Sequence, residues 1–165
     1  MTNLERALNV AEVAHANQKY DIYSYMYHIK QVVKIATELG YDETILVACA
    51  LHDVMEDADL SYNDIKKAFG IDVAEVVFAV TDELGRNRKE RKEKTYPKIR
   101  ANWKAVAVKI CDRIANATHS HHEGGKNGMF KLYQKEHIDF CRNLGADNPH
   151  EETKKAWERL ERLLG

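Results

Sequence analysis

Two prolines and eight glycines are all that can break the chain over 165 residues. With so few breakers, and with apolar residues recurring every three to four positions, the chain is confined to helices. Leu4, Leu8, Ala11, Val13 and Ala14 mark a first helix over about residues 2–19. A tyrosine-rich loop follows, Tyr20 to Tyr27. A second helix over about 28–39 carries Ile29, Val32, Val33 and Ala36 and stops at Gly40. Asp42 is placed to cap a third helix, whose Glu43 to His52 stretch is apolar around most of its circumference and so belongs at the centre of the fold. Ser61 with Asp64 reads as a helix start, and Gly70 as its end. Asp72 to Leu84 is β-branched but does not alternate, which favours helix over strand. A charged stretch spans 87–98, and apolar periodicity returns from Trp103 to His119. His121 to Gly128 reads as a loop, and helices over 129–144 and 151–164 close the chain. The expected fold is all-α, a compact bundle of about eight or nine helices, with one domain over 1–165.

Hydrophobic residues make up 44% of the chain and charged residues 31%, enough for a packed core and too ordered a mixture for a disordered chain. Twenty-five basic against twenty-six acidic residues give a formal net charge of −1, without the global basic excess that nucleic acid or an anionic membrane would select. No run approaches the roughly 18 apolar residues of a membrane span, and Met1 to Val10 shows no secretory pattern. Cys49, Cys111 and Cys141 have no CxxC spacing and read as buried thiols. The expected compartment is reducing, the cytoplasm. The stripe Trp157, Leu160, Leu163, Leu164 on the last helix is expected to dock within the monomer.

Four positions stand out for chemistry. His28 sits at the entry to the second helix, His52-Asp53 ends the apolar third helix, and Asp112 interrupts the apolar stretch Val108-Lys109-Ile110-Cys111. A charged aspartate in such a setting is expensive unless it is paired or bound to a cation. A divalent metal held by two imidazoles and two carboxylates would offset several of these costs together, and mixed N/O ligation suits Mn²⁺, Fe²⁺ or Zn²⁺. Taken singly, His28 is also an ordinary helix cap and Asp112-Arg113 an ordinary ion pair; the combination singles them out.

The pattern His28…His52-Asp53…Asp112 resembles the HD-domain metal-dependent phosphohydrolases. The longer strings are similar to the hydrolase domain of the RelA/SpoT alarmone enzymes and to the small single-domain, metazoan SpoT homolog-like alarmone hydrolases. They are Ala14-His15-Ala16-Asn17-Gln18, Tyr25-Met26-Tyr27-His28-Ile29, Leu51-His52-Asp53-Val54-Met55-Glu56-Asp57, Val80-Thr81-Asp82, and Val108 to Asn116. This resemblance, over roughly residues 1–145, implies one Mn²⁺ on His28, His52, Asp53 and Asp112, and a catalytic pair, Glu56 and Asp57. It implies a nucleotide substrate, guanosine 3′,5′-bis(diphosphate) (ppGpp), losing its 3′-pyrophosphate; a phosphohydrolase of other nucleoside mono- or triphosphates is the alternative. If the third helix continues for one turn, Glu56 and Asp57 each stack four residues beyond a ligand.

A phosphate-rich substrate needs further cations, and Arg86 to Lys94 holds six basic residues in nine. The resemblance points there to Arg88, Arg91 and Lys92, and it sets Asn116 near the sugar. Tyr133 is a candidate for the nucleoside end. The family's base-stacking arginine has no counterpart in Gln18 to Tyr25, which leaves Lys19 or the ring of Tyr20 to serve the base. The cluster His119, His121 and His122 reads as a solvated helix end, with a second metal as the alternative. Arg113 is expected to pair with a structural carboxylate.

Overall fold

The computed structural model describes residues 1–122 and 128–165. Its described residues form α1 (Asn3–Ala14), a hairpin of β1 (Lys19–Tyr20) and β2 (Tyr23–Ser24), and α2 (Tyr25–Glu38). They continue with α3 (Glu43–Leu51), α4 (Val54–Asp57), α5 (Tyr62–Phe69), α6 (Ile71–Val80) and α7 (Arg88–Arg100). The chain closes with α8 (Trp103–His122), α9 (Met129–Asn143), a 3₁₀ turn over Glu151–Thr153, and α10 (Lys154–Leu164). The fold is all-α, as the breaker count requires. Among the described residues eight helices fall on the expected ones, α7 forms over the charged stretch, and α4 is a single extra turn. Of the expected loop His121 to Gly128, His121 and His122 belong to α8, and 123–127 lie outside the described residues.

Helix ends follow local chemistry. The Thr2 hydroxyl accepts from the Glu5 N–H while Glu5 reaches back to the Thr2 N–H, and Ser61 and Asp64 form the same reciprocal cap on α5. Asp42 accepts from the Ile45 N–H at 3.2 Å and starts α3. Gly40 (φ 80°) and Gly70 (φ 94°) take the left-handed side of backbone space, where a Cβ would be strained, and end α2 and α5. The α6 helix ends at Val80 rather than Leu84, because the Thr81 backbone turns extended (ψ 124°). The tyrosine-rich loop is shorter than expected: Gln18 to Ser24 makes the hairpin, and α2 already begins at Tyr25.

The third helix lies at the centre, as its composition demands. Ile45, Val47, Ala48, Cys49, Ala50 and Leu51 are all buried, with α1, α2, α6 and α8 around them. The α8 helix is the second central element, with Ala105 to Val108 and Ile110 to Ala115 buried. Trp157, Leu160 and Leu164 of α10 are buried against this assembly, so the C-terminal stripe docks within the chain. Leu160 is fully buried. Leu160→Ala is expected to cost about 2–5 kcal/mol of unfolding free energy, read as a lower urea midpoint with an unchanged slope.

Candidate metal centre

Three elements bring four side chains to one point. His28 lies on the first turn of α2, His52 caps the end of α3, Asp53 follows it, and Asp112 comes from the middle of α8. Successive residues of a regular helix point about 100° apart, so neighbours such as His52 and Asp53 would diverge. Here the helix breaks. Asp53 takes φ −108°, ψ 0°, and α4 restarts beyond it. This corrects the expectation of a continuous third helix, and it turns both side chains toward the same place. The His52 Nε2 atom lies 2.9 Å from Asp53 Oδ2 and 3.3 Å from Asp112 Oδ1. The His28 Nε2 atom lies 3.0 Å from that same Asp112 oxygen.

The protonation pattern fits a cation. The His52 Nδ1 atom is 2.7 Å from the Cys49 carbonyl, an acceptor only, so Nδ1 carries the proton and donates. The neutral ring therefore presents a lone pair at Nε2, buried and with no hydrogen-bond partner, toward two carboxylates. Lone pair facing lone pair is stable only with positive charge between them. Burial works against charge on His52, yet Asp53 and Asp112 hold its pKa well above the usual imidazole range. Burial likewise opposes the charged form of Asp53, yet His52 holds that carboxyl down at about 2. A divalent cation satisfies the same demand, and two nitrogens with two carboxylate oxygens are a suitable donor set for one. Tyr25 donates its hydroxyl to Asp53, and Lys109 Nζ stands 3.3 Å from Asp112 Oδ2. Both orient the carboxylates from behind.

A cavity of about 180 Å³ opens beside these groups. Its walls include Glu56, Asp82, Arg88, Lys92, Lys109, Arg113, Asn116 and Tyr133. Four cations and four carboxylates line it, counting Asp53 and Asp112, so the wall is formally neutral and a bound divalent cation would leave it at +2. That is the polarity a polyphosphate requires. Glu56 keeps an exposed face at the cavity rim, and partial desolvation against the wall, then the charge of Asp53, push its carboxyl up to about 7. It accepts from the Asp82 N–H at the cavity edge. Lys92 pairs with Asp82 at 2.9 Å and is held down at about 8, first by burial and then by the charge of Lys109.

The remaining expected residues fall in different places. Arg88 faces the cavity and is clamped by Glu136 through two hydrogen bonds of 2.9 and 3.0 Å. Asn116 Nδ2 donates to Asp112 Oδ1 at 3.1 Å, and its Oδ1 accepts from the Tyr20 hydroxyl at 2.7 Å. The Tyr20 ring stacks on His28, centroids 4.7 Å apart, and so covers one side of the cluster. Tyr133 lines the cavity under the Arg113 guanidinium. Three residues stand apart from the cavity wall: Asp57 is exposed and accepts from Gln18 Nε2 at 3.0 Å, Lys19 is exposed on the hairpin, and Arg91 packs beside Gly85. The three histidines at the end of α8 diverge. His119 is buried against Asp21 at 3.0 Å, the His121 ring lies 4.7 Å from Phe130, and His122 is exposed. Among the described residues they form no metal-ligand group.

Sequence reasoning missed Tyr25, Asp82, Lys109 and Glu136 as parts of this site. Lys109 was open to the argument that found Asp112, a charge inside an apolar run. Tyr25 lies three residues before His28, on the same helical face. Glu136 carries no such signal, since only the fold brings α9 against Arg88 and Arg113.

A bundle that joins a histidine, a His-Asp pair and a distant aspartate at one buried point defines the HD class of proteins. The HD domain family model matches residues 7–137, and the chain belongs to that family. Family membership implies a divalent metal. The chain is 34% identical over 95 residues to the guanosine-3′,5′-bis(diphosphate) 3′-pyrophosphohydrolase MESH1 of Drosophila melanogaster, covering 54% of this chain and 53% of that protein. It is 32% identical over 119 residues to the guanosine-3′,5′-bis(diphosphate) 3′-pyrophosphohydrolase of Aquifex aeolicus, covering 68% of this chain and 17% of the relative. The matched stretch thus spans about half the length of the first relative and far less of the second. A solved structure described as a metazoan ortholog of SpoT that hydrolyzes ppGpp superposes with a TM-score of 0.78 at 24% identity, over 98% of this chain and 95% of that one. That likeness establishes the fold. No helix among the described residues is long and apolar enough to cross a membrane.

The clamp behind the cavity generates a pH prediction. Burial would raise the Glu136 carboxyl, but the hydrogen bonds from Arg88 and Arg113 outweigh it and hold it at about 2, against an ordinary 4.5. A depressed folded-state pKa stabilises the fold above the unfolded value and loses that contribution as pH falls through the folded value. The stability gap between the wild type and Glu136→Gln is therefore expected to be full above about pH 5 and to shrink toward pH 2. Urea titrations at stepped pH check this; a gap independent of pH refutes the clamp.

Proposed function

We propose that this protein is a metal-dependent phosphohydrolase that removes the 3′-pyrophosphate of guanosine 3′,5′-bis(diphosphate). The observation that carries the reading is the His52 lone pair, held by the Cys49 carbonyl and aimed between two carboxylates beside a cavity lined with cations. The names of the curated relatives supply the substrate.

In this reading His28, His52, Asp53 and Asp112 hold one Mn²⁺, the ion the RelA/SpoT resemblance implies. When bound, the cation supplies Lewis-acid charge against a phosphate oxygen and makes water easier to deprotonate. Glu56, on the cavity wall, accepts the proton of the attacking water as general base. Asp57, tied to Gln18, braces the α4 turn that presents Glu56. Arg88, Lys92 and Lys109 draw the phosphate chain into the cavity and oppose its developing charge. Arg91 and Lys19 lie where they steer a polyanion from outside. Asn116 and Tyr133 meet the ribose, and the Tyr20 ring offers the guanine a stacking face in place of the family's arginine. The absence of that arginine makes hydrolysis of other nucleotides the second reading.

Asp53→Ala and Asp112→Ala are each expected to lose bound metal and all turnover while the helical circular dichroism persists; full activity in either refutes the site. Glu56→Gln should keep the metal and lower kcat about 10²–10⁴-fold. Lys92→Met should raise KM for a tetraphosphorylated nucleotide more than for a monophosphate; equal effects remove Lys92 from phosphate binding. Metal-loaded protein given ppGpp, GTP, dNTPs and dNMPs separately identifies the substrate. Pyrophosphate from ppGpp supports the proposal, and turnover of the others alone replaces it with the second reading.

A further inference from the structure

Gln18, between α1 and the hairpin, lies off the cavity wall, yet all four of its polar groups are engaged. Its backbone N–H donates to the His15 carbonyl at 3.0 Å, and its own carbonyl accepts from the Tyr25 N–H at 3.1 Å, where α2 begins. Its side-chain Oε1 lies 2.7 Å from His15 Nδ1, and its Nε2 donates to Asp57 Oδ2 at 3.0 Å. These contacts fix their own polarity. A carboxylate only accepts, so the amide nitrogen faces Asp57, the amide oxygen faces His15, and His15 Nδ1 donates. His15 is 3% exposed, its ring lies against Tyr25 with centroids 4.7 Å apart, and its Nε2 is buried with no hydrogen-bond partner. The fold thus carries an unsatisfied nitrogen, at a cost, to hold the imidazole there. The imidazole in turn pins the Gln18 amide from the buried side and aims its N–H outward at Asp57.

Everything Gln18 touches leads to the site. Tyr25 donates to Asp53, its helix carries His28, and Asp57 follows Glu56 on α4. The α4 turn has four residues, and two backbone bonds, from the N–H groups of Asp57 and Ala58, close it. So short a helix does not hold itself. Val54 anchors its start in the core, while Glu56 and Asp57 are exposed. We propose that Gln18 is a positioning residue: through Asp57 it fixes the rotation of α4 so that Glu56 faces the cavity, and His15 fixes Gln18. The inference rests on the phosphohydrolase reading, in which Glu56 is the base. Neighbours on a helix point about 100° apart, so holding Asp57 toward the hairpin keeps Glu56 on the cavity wall. Without that hold α4 turns about Val54 and Glu56 loses its alignment with the attacking water. The metal ligands lie outside α4 and stay in place, so the loss falls on the chemical step and not on capture of the substrate.

The full-length, metal-loaded protein is compared with Gln18→Ala, Gln18→Glu and the double variant Gln18→Glu/Asp57→Asn. Gln18→Glu keeps the size of the side chain and the acceptor for His15, but sets a second carboxylate against Asp57. Both single variants are expected to lower kcat about 10–10²-fold, with KM and metal affinity held. Adding Asp57→Asn to Gln18→Glu returns an amide donor to the contact from its other side, and kcat is expected to recover. In parallel, the Asp57 and Ala58 amide hydrogens should exchange about tenfold faster in Gln18→Ala, while those of α3 keep their protection. Exchange needs no turnover. A protein that hydrolyses no nucleotide defeats the phosphohydrolase reading, and the tether is then judged on exchange alone. Wild-type kcat in Gln18→Ala, no recovery in the double variant, or unchanged exchange in α4 overturns the proposal. Loss of metal affinity or a raised KM along with the fall in kcat also overturns it, and assigns Gln18 to the fold instead.

Discussion

Two aspartates crowd one imidazole edge, and the rest of the structure is arranged around that electrostatic demand. Asp53 and Asp112 each place an oxygen within 3.3 Å of His52 Nε2, in a setting from which most water is excluded. Unpaired, these charges would be among the most expensive features of the fold. Each is held from behind, Asp53 by Tyr25 and Asp112 by Lys109 and Asn116. The supports come from α2 and α8, which flank the central α3, so the same helices that bury the core also fix the donors. Core packing and site geometry are therefore one problem here: a shift of α8 relative to α3 would move Asp112 and the apolar contacts together.

Much of this was legible in the sequence, for a specific reason. Polar residues that interrupt apolar helices are rare and costly, so His52-Asp53 and Asp112 announced themselves, and scarce glycine and proline fixed the helical class. The strings around them carried the family. What stayed hidden depended on contacts between distant segments. The pairing of Arg88 and Arg113 with Glu136 joins α7, α8 and α9, and no local pattern forecasts it. Glu56 and Asp57 looked equivalent as neighbours on one helix. Adjacent residues of α4 point about 100° apart, which leaves Glu56 on the cavity wall and Asp57 outside it, tied to Gln18. Of the histidines at the end of α8, read as a solvated helix end, His121 and His122 are exposed, whereas the fold buries His119 against Asp21.

The charged stretch on α7 shows how one sequence feature serves two ends. Lys89 and Lys94 pair with Glu93 and Glu90 along the exposed face and do little beyond solvating it. Arg88 and Lys92 turn inward to the cavity, each already matched by a carboxylate. These inward cations are thus pre-positioned rather than free. An anion that binds there shares them with Glu136 and Asp82 instead of ordering loose side chains, which lowers the entropic cost of capture.

The interruption between α3 and α4 has a consequence for how such a centre can change over time. Because His52 and Asp53 converge only through one non-helical residue, the dipeptide and its kink operate as a single inherited unit. A mutation that smooths the backbone into continuous helix would point the two donors apart while leaving both residue types intact. Chemistry at this position is therefore guarded by conformation as much as by identity, and a sequence that retains both letters has not, by that fact alone, retained the centre.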